Sequence, residues 1–371
     1  MRRFKFLRDI DPAVFEDDES QVLRALGGPT CLLFTGKDPS RTRAVVTLLH
    51  GNEPSGLIAL RRWIALKETP ETNLLFVIAS VHAALEEPSF THRMLPRARD
   101  LNRCFRPPYD DEQGHLAEEI LTILDMHQPE CVIDIHNTSG TSPAFAISID
   151  LAPQTLALAN LFTDRLLLMD IVMGTLMEHT TAAMPIVTVE VGGRSEQHAH
   201  ESAFAGLRKL SQAKSIRPDQ AAGTPAQTSS KEADLGKALR TDYETADLAV
   251  FRHPLRLELL DGVTLTYASQ PRAGYDVTLL ADLEQHNFAI VPKGTSLGWT
   301  SSPPERLFRA QDGGGRCALS AIVKKEEGCL MAAQDLRLLM ITNNAAIAES
   351  DCLFYAVAPD GSTISSLAAC S

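Results

Sequence analysis

The 371-residue sequence has no excess of positive charge, no long apolar run and no closely spaced cysteine pair. Its 35 basic residues are outnumbered by 47 acidic ones, for a net charge of −12. Nucleic acid and anionic membrane both need a positive surface, so both are disfavoured as partners. No stretch reaches the roughly 18 uninterrupted apolar residues that span a bilayer. The best, Leu166 to Met177, is short and interrupted by Asp170. The basic N-terminus, Met1 to Asp9, is followed by no apolar run and does not read as a secretory signal. The seven cysteines are scattered, odd in number and without a CxxC pair, so no disulfide framework is expected and a reducing cytoplasm is the simplest compartment. Neither GxxxxGKS/T nor GxGxxG occurs, which argues against a nucleotide cofactor. No internal repeat is present.

What remains is an ordinary globular composition, 44% hydrophobic and 22% charged, long enough for a large domain and a smaller one. Cys31–Thr35, Ala44–Leu49, Leu74–Ser80, Cys131–Ile135, Phe145–Ile149 and Ile186–Val191 read as buried strands, being short, rich in Val, Ile and Leu, and bounded by turn residues. Ser55–Lys67, His115–Met126, Pro153–Leu168 and Glu196–Ser211 have helical spacing. Such alternation predicts an α/β fold with a mixed, largely parallel sheet flanked by helices. Composition changes near Ser215, and 213–235 reads as a linker or mobile loop. Beyond it, 236–371 holds short strand-like pieces, Cys317–Val323 among them, and predicts a smaller C-terminal β-rich domain.

The central motif is His50-Gly51-Asn52-Glu53-Pro54, after the strand Ala44–Leu49 and before a helix. It offers an imidazole and a carboxylate at one strand-to-helix turn. Zinc accepts both, and a catalytic zinc site takes three protein ligands with one position open. His136, at the end of another buried strand, is the natural third ligand. Glu190 closes a third strand, and sites in open α/β sheets form outside the carboxyl ends of strands. Asp134, two residues before His136, shares its face and is placed to orient the imidazole or to bond backbone amides.

Four motifs in order, His50-Gly51-Asn52-Glu53, Asp100-Leu101-Asn102-Arg103-Cys104-Phe105, Asp134-Ile135-His136-Asn137 and Val189-Glu190-Val191-Gly192, resemble the succinylglutamate desuccinylase/aspartoacylase family, which is related to the zinc carboxypeptidases. The resemblance spans residues 43 to 195. It implies one Zn2+ per chain held by His50, Glu53 and His136. It further implies Glu190 as general base and acid, Asn102 and Arg103 as a clamp for the substrate carboxylate, and a small N-acyl amino acid as substrate. Residues 1–212 would then be the zinc hydrolase catalytic domain. An arginine that polarises the scissile carbonyl is expected before the Asp100 motif. Arg93, Arg97 and Arg99 are available, with Arg97 favoured and Arg93 next. Aspartoacylases also use an arginine shortly before the base strand, and Glu178 to Ala183 holds none, which argues against N-acetylaspartate.

Other residues are left aside. His198 and His200 lie two apart on a helix and point to different sides, so a solvated face is expected. Cys104 reads as a small buried residue rather than a nucleophile. Tyr267 and Tyr275 belong to the β-rich region, with reach over the site as the alternative. A metallocarboxypeptidase acting on short peptides, or a non-catalytic binding protein of the same fold, uses the same residues. A homo-oligomer is compatible with each reading.

Overall fold

The computed structural model describes residues 3–216, 248–360 and 364. The expected linker, 213–235, lies outside the described residues from 217 onward, as does the expected start of the β-rich region at 236.

One sheet holds nine strands: β1 (Lys5–Arg8), β2 (Thr30–Phe34), β3 (Asp38–Thr47), β4 (Thr72–Ile78), β5 (Val132–Thr138), β6 (Phe145–Ser148), β7 (Arg165–Leu168), β8 (Ile186–Gly193) and β9 (Ala249–Phe251). Their order is β1-β2-β4-β3-β5-β8-β6-β7-β9. Neighbours run parallel except β2 with β4 and β6 with β8. The mixed, largely parallel α/β sheet expected from the sequence is therefore present. Its central strands β5 and β8 are buried along their whole length, as covered parallel strands are.

Six helices accompany this sheet: α1 (Glu19–Leu26), α2 (Ser55–Ala65), α3 (Val81–Leu85), α4 (Glu112–His127), α5 (Pro153–Asn160) and α6 (Gln197–Gln212). Helix α2 buries Leu57, Leu60, Trp63 and Ile64, a stripe at three- and four-residue spacing. It packs on α6, where Trp63 Nε1 donates to Ser211 Oγ at 3.0 Å. Helix α4 starts at Asp111, whose carboxylate accepts from the Gly114 amide at 2.8 Å.

Two expected elements differ. Pro153–Leu168 is not one helix, because α5 stops at Asn160 and β7 follows. The apolar run Leu166 to Leu168 pairs with β6, and the intervening Thr163 hydroxyl donates to the Ala144 carbonyl and accepts from the Arg165 amide. Sheet pairing thus wins over the helical pattern. Cys317–Val323 is also not one strand: Leu319–Ile322 forms the short helix α7 before a strand begins at Val323. A short apolar run does not distinguish the two by periodicity.

The C-terminal part is β-rich, as expected. Its strands are β10 (Leu255–Leu259), β11 (Leu265–Ala268), β12 (Val277–Leu280), β13 (Ile290–Val291), β14 (Ser296–Thr300), β15 (Phe308–Gln311), β16 (Val323–Glu326), β17 (Cys329–Ala332), β18 (Leu336–Leu339) and β19 (Phe354–Val357). They form two five-stranded sheets, β13-β18-β19-β10-β15 and β11-β12-β14-β17-β16. Helix α8 (Ala345–Ser350) leads into β19. Phe288 joins this part to the main sheet, its ring 4.8 Å from that of Phe145 and 5.6 Å from that of Phe251. No helix among the described residues is long and apolar enough to cross a membrane. Cys31, Cys104, Cys131, Cys329 and Cys352 carry free thiols. Cys317 is disulfide-bonded, a pairing the scattered spacing does not reveal.

Candidate active site

Strands β3, β5 and β8 are neighbours, and their carboxyl ends carry the site. After β3 the chain turns through His50 and Glu53 into α2. The β5–β8 pairing sets His136 directly against Glu190. All four side chains are buried.

The two imidazoles are held alike. His50 Nδ1 lies 2.8 Å from Glu53 Oε1, and His136 Nδ1 lies 2.7 Å from Glu53 Oε2. Their other nitrogens face carboxylates: His50 Nε2 is 2.9 Å from Asp100 Oδ1, and His136 Nε2 is 2.9 Å from Asp134 Oδ2. A proton on each Nε2, donated to its carboxylate, leaves a lone pair on each Nδ1. Those lone pairs point at a carboxylate that is itself only an acceptor. Either a proton or a cation must stand between them. Burial works against protonated imidazoles, yet Asp100 and Glu53 raise His50, and Asp134 and Glu53 raise His136 well above the ordinary range. The same cluster holds Glu53 below the carboxylate range in spite of its burial. The pocket therefore favours positive charge between these three residues, whose ligand atoms lie within 4.8 Å of one another. Two imidazoles and a carboxylate, each imidazole braced by an acid, fit a divalent metal such as zinc.

Glu190 is the exception in its neighbourhood. Its Oε2 is buried with no hydrogen-bond partner among the described residues. Burial raises its carboxyl, against the pull of His136 and with the push of Glu53, to about 7. A carboxyl poised near neutrality beside a ligand cluster is suited to taking and returning a proton.

Arginines line the opposite side. The Gly51 amide donates to the Arg93 carbonyl at 2.9 Å, which fixes residue 93 beside the His50 turn. Arg93 grips Asp100 Oδ2 through Nε and Nη2 at 3.0 and 2.8 Å, and its Nη1 lies 3.7 Å from Glu53 Oε1. Arg97, favoured from the sequence, is not brought into the site: it is exposed, on a turn with φ of 66°. Arg99 also points away and pairs with Asp111. Arg93 is thus the arginine at the His50–Glu53–His136 cluster.

Asn102 and Arg103 occupy a short 3-10 turn, Leu101–Arg103, started by the Asp100 side chain, which accepts from the Asn102 amide at 2.8 Å. Asn102 Nδ2 lies 3.4 Å from His136 Nε2, and its Oδ1 accepts from the Leu176 amide at 3.1 Å. Arg103 Nη2 donates to Asp351 Oδ1 at 2.9 Å. Arg256 also donates to that oxygen, at 2.5 Å, and Arg93 reaches the other at 3.4 Å. Burial opposes ionisation of Asp351, but Arg103, Arg93 and Arg256 hold it well below the usual carboxylate range. Asp351 follows α8 in an unpatterned stretch, and nothing in the sequence singles it out.

The cleft between these groups encloses about 750 Å³, including the part open to solvent. It is lined by every expected site residue except Arg97, and also by Asp351, Cys352 and Tyr355. Tyr355, not Tyr267 or Tyr275, is the tyrosine of the β-rich part that reaches it: Tyr267 packs into the C-terminal core, and Tyr275 is exposed. His200 does not simply face solvent, since its Nδ1 meets Ser55 Oγ at 2.9 Å. Cys104 is fully buried and its thiol is pushed up by burial to about 11, in keeping with a packing role.

Residues 39–214 match the family model of the succinylglutamate desuccinylase/aspartoacylase catalytic domain. No curated protein is significantly similar in sequence. Among solved structures, a succinylglutamate desuccinylase/aspartoacylase from Rhodobacter sphaeroides is 14% identical with a TM-score of 0.50, covering 88% of this chain and 86% of its own. A succinylglutamate desuccinylase from Vibrio parahaemolyticus is 16% identical with a TM-score of 0.52, covering 88% of this chain and 85% of its own. At these identities the likeness shows a shared fold.

Proposed function

Because this chain belongs, through residues 39–214, to the succinylglutamate desuccinylase/aspartoacylase family, we propose that it is a zinc-dependent amidohydrolase that cleaves the amide bond of a small N-acyl amino acid. The observation that carries the reading is the convergence of both Nδ1 atoms on Glu53 with the unpartnered Glu190 carboxyl at their side.

One zinc ion per chain, held by His50, Glu53 and His136, supplies Lewis-acid polarisation when bound. Asp100 and Asp134 hold the two imidazoles with Nδ1 turned to the ligand position. Glu190 accepts a proton from the attacking water and returns it to the leaving nitrogen. Arg93 donates to the oxygen of the scissile carbonyl as negative charge develops there. Asn102 and Arg103 take the substrate carboxylate, for which a planar guanidinium is suited. In this reading residues 1–212 form the catalytic domain. The β-rich part, assigned to 236–371, narrows the cleft and contributes Asp351 and Tyr355.

The test is metal analysis combined with hydrolysis of an N-acyl amino acid panel by the zinc-loaded protein, using dipeptides as the contrast. We expect one zinc per chain and release of free amino acid. Glu190→Gln should keep the metal and lose about 10²–10⁴-fold in turnover. Full turnover by that variant removes Glu190 from its role, and dipeptides cleaved in preference indicate a carboxypeptidase.

A further inference from the structure

Four methionines line the cleft that holds Arg103. Met169, Met173, Met177 and Met340 do so together with Ile147 and Ile347, among neutral polar residues such as Thr138, Ser139 and Thr188. Met173 and Met177 flank a segment that is hydrogen-bonded to the clamp. The Phe105 amide donates to the Gly174 carbonyl at 3.0 Å, and the Leu176 amide donates to Asn102 Oδ1 at 3.1 Å. Gly174 has φ of 77°, and a Cβ there would sit 2.8 Å from the Arg103 carbonyl oxygen, so the two segments touch through backbone. The loop is held from behind as well. Glu178 Oε1 accepts from the amides of Met173, Gly174 and Thr175 at 2.7, 2.9 and 3.2 Å. Its other oxygen pairs with Arg106 Nε at 3.0 Å, so the carboxylate is committed to the loop and to that arginine. Met173 also receives the Tyr355 hydroxyl on its sulfur at 3.4 Å.

Beyond Arg93 and the clamp itself, the cleft offers no cationic side chain to a second carboxylate among the described residues. Arg93 and Arg103 are the only lysines or arginines lining the cleft among the described residues, and both pair with acids: Arg93 with Asp100 and Asp351, Arg103 with Asp351. Arg256, behind them, pairs with Asp351 and Glu258. A substrate with a carboxylate at Arg103 and a second one in its side chain would bury that second charge among thioether, alkyl and neutral hydroxyl groups with no cation to pair it, which is costly. An apolar side chain meets the opposite situation. Methionine is unbranched and polarisable, and adapts to aliphatic and aromatic shapes alike.

We infer that, given the hydrolase reading above, the amino acid part of the substrate carries an apolar side chain, aliphatic or aromatic, seated on Met173, Met177 and their neighbours beside Arg103, and that its α-carboxylate is its only anionic group.

The experiment uses the full chain, zinc-loaded, with N-acetyl-L-methionine, N-acetyl-L-leucine and N-acetyl-L-phenylalanine against N-acetyl-L-aspartate and N-acetyl-L-glutamate. The expected result is kcat/KM at least about 10-fold higher for the apolar set, the size that hydrophobic pocket contacts supply. Calorimetric binding of the same compounds to Glu190→Gln gives a readout independent of turnover and should show the same order. Met173→Arg should narrow the apolar-to-acidic ratio by about 10-fold or more, whereas Met173→Leu should keep it. Faster hydrolysis of the acidic compounds overturns the inference and leaves the hydrolase reading standing. Tight binding of the apolar set with no hydrolysis of any compound overturns the hydrolase reading and leaves the apolar subsite. A ratio unmoved by Met173→Arg, in a variant with unchanged thermal unfolding, removes the methionine wall as the side-chain contact.

Discussion

His136 and Glu190 are Cα partners in the parallel pairing of β5 and β8, so a metal-ligand candidate and the candidate base sit on one face of the sheet, one strand apart. Their separation is set by the backbone ladder and not by a loop. A site built on strands holds its geometry better than one built on loops.

The first expectation concerns pH. Glu190 must be ionised to accept a proton, and burial raises its carboxyl to about 7. Activity therefore rises as pH rises through the pKa of this group. A bound cation pulls that value down. The acid limb of kcat/KM should then have its midpoint between about 4.3, the ordinary glutamate value, and about 7. A pH–rate profile checks this, and a profile that falls with rising pH across that window is inconsistent with Glu190 as base.

Asp100 and Asp134 should matter for metal without touching it. Each accepts from the Nε2 side of one ligand imidazole. Asp100→Asn and Asp134→Asn should each weaken zinc affinity by about 10–100-fold. Chelator competition measures this directly. Equal affinity in all three proteins would mean that the imidazoles are oriented by packing alone.

Arg93 and Arg97 separate cleanly. Arg93 reaches Asp100, Asp351 and the edge of Glu53, whereas Arg97 is exposed. Arg93→Met should lower kcat by about 10²–10³-fold, as loss of an oxyanion donor does. Arg97→Met should leave steady-state kinetics within about 2-fold, since surface changes are usually near neutral. The reverse pattern would restore the sequence-based choice.

Gly56 provides a stability test. In a helix, Gly→Ala ordinarily gains about 1 kcal/mol. Here a Cβ at residue 56 would lie 2.0 Å from Thr47 Oγ1 and 2.7 Å from Thr47 Cβ. Overpacking of this kind costs about 1–3 kcal/mol. Gly56→Ala should lower the melting temperature, and a rise would show that the α2–β3 contact yields.

The sheet and the His50–Glu53–His136 cluster were legible because their signals are local. Val45 and Val46 before His50, and Ile133 and Ile135 before His136, mark buried strands that deliver their imidazoles to one end of the sheet. Arg97 was misplaced because several arginines stand within a few residues of one another, and only folded-state contacts, the Gly51–Arg93 backbone bond and the Arg93 ion pairs, decide among them. Asp351 left no trace because its partners are distant in sequence and its neighbours have no period. The methionine wall was equally hidden: Met173, Met177 and Met340 look like core residues until folding turns them to one cleft.

Asp351 stands 248 residues beyond Arg103, yet they share a hydrogen bond. A ribosome therefore exposes the arginine long before its counter-ion is synthesised. Until α8 and β19 dock, Arg103 lacks the carboxylate it grips, whereas Arg93 already has Asp100 seven residues on. The finished charge balance joins two distant stretches of the chain and is acquired only once the β-rich part has docked.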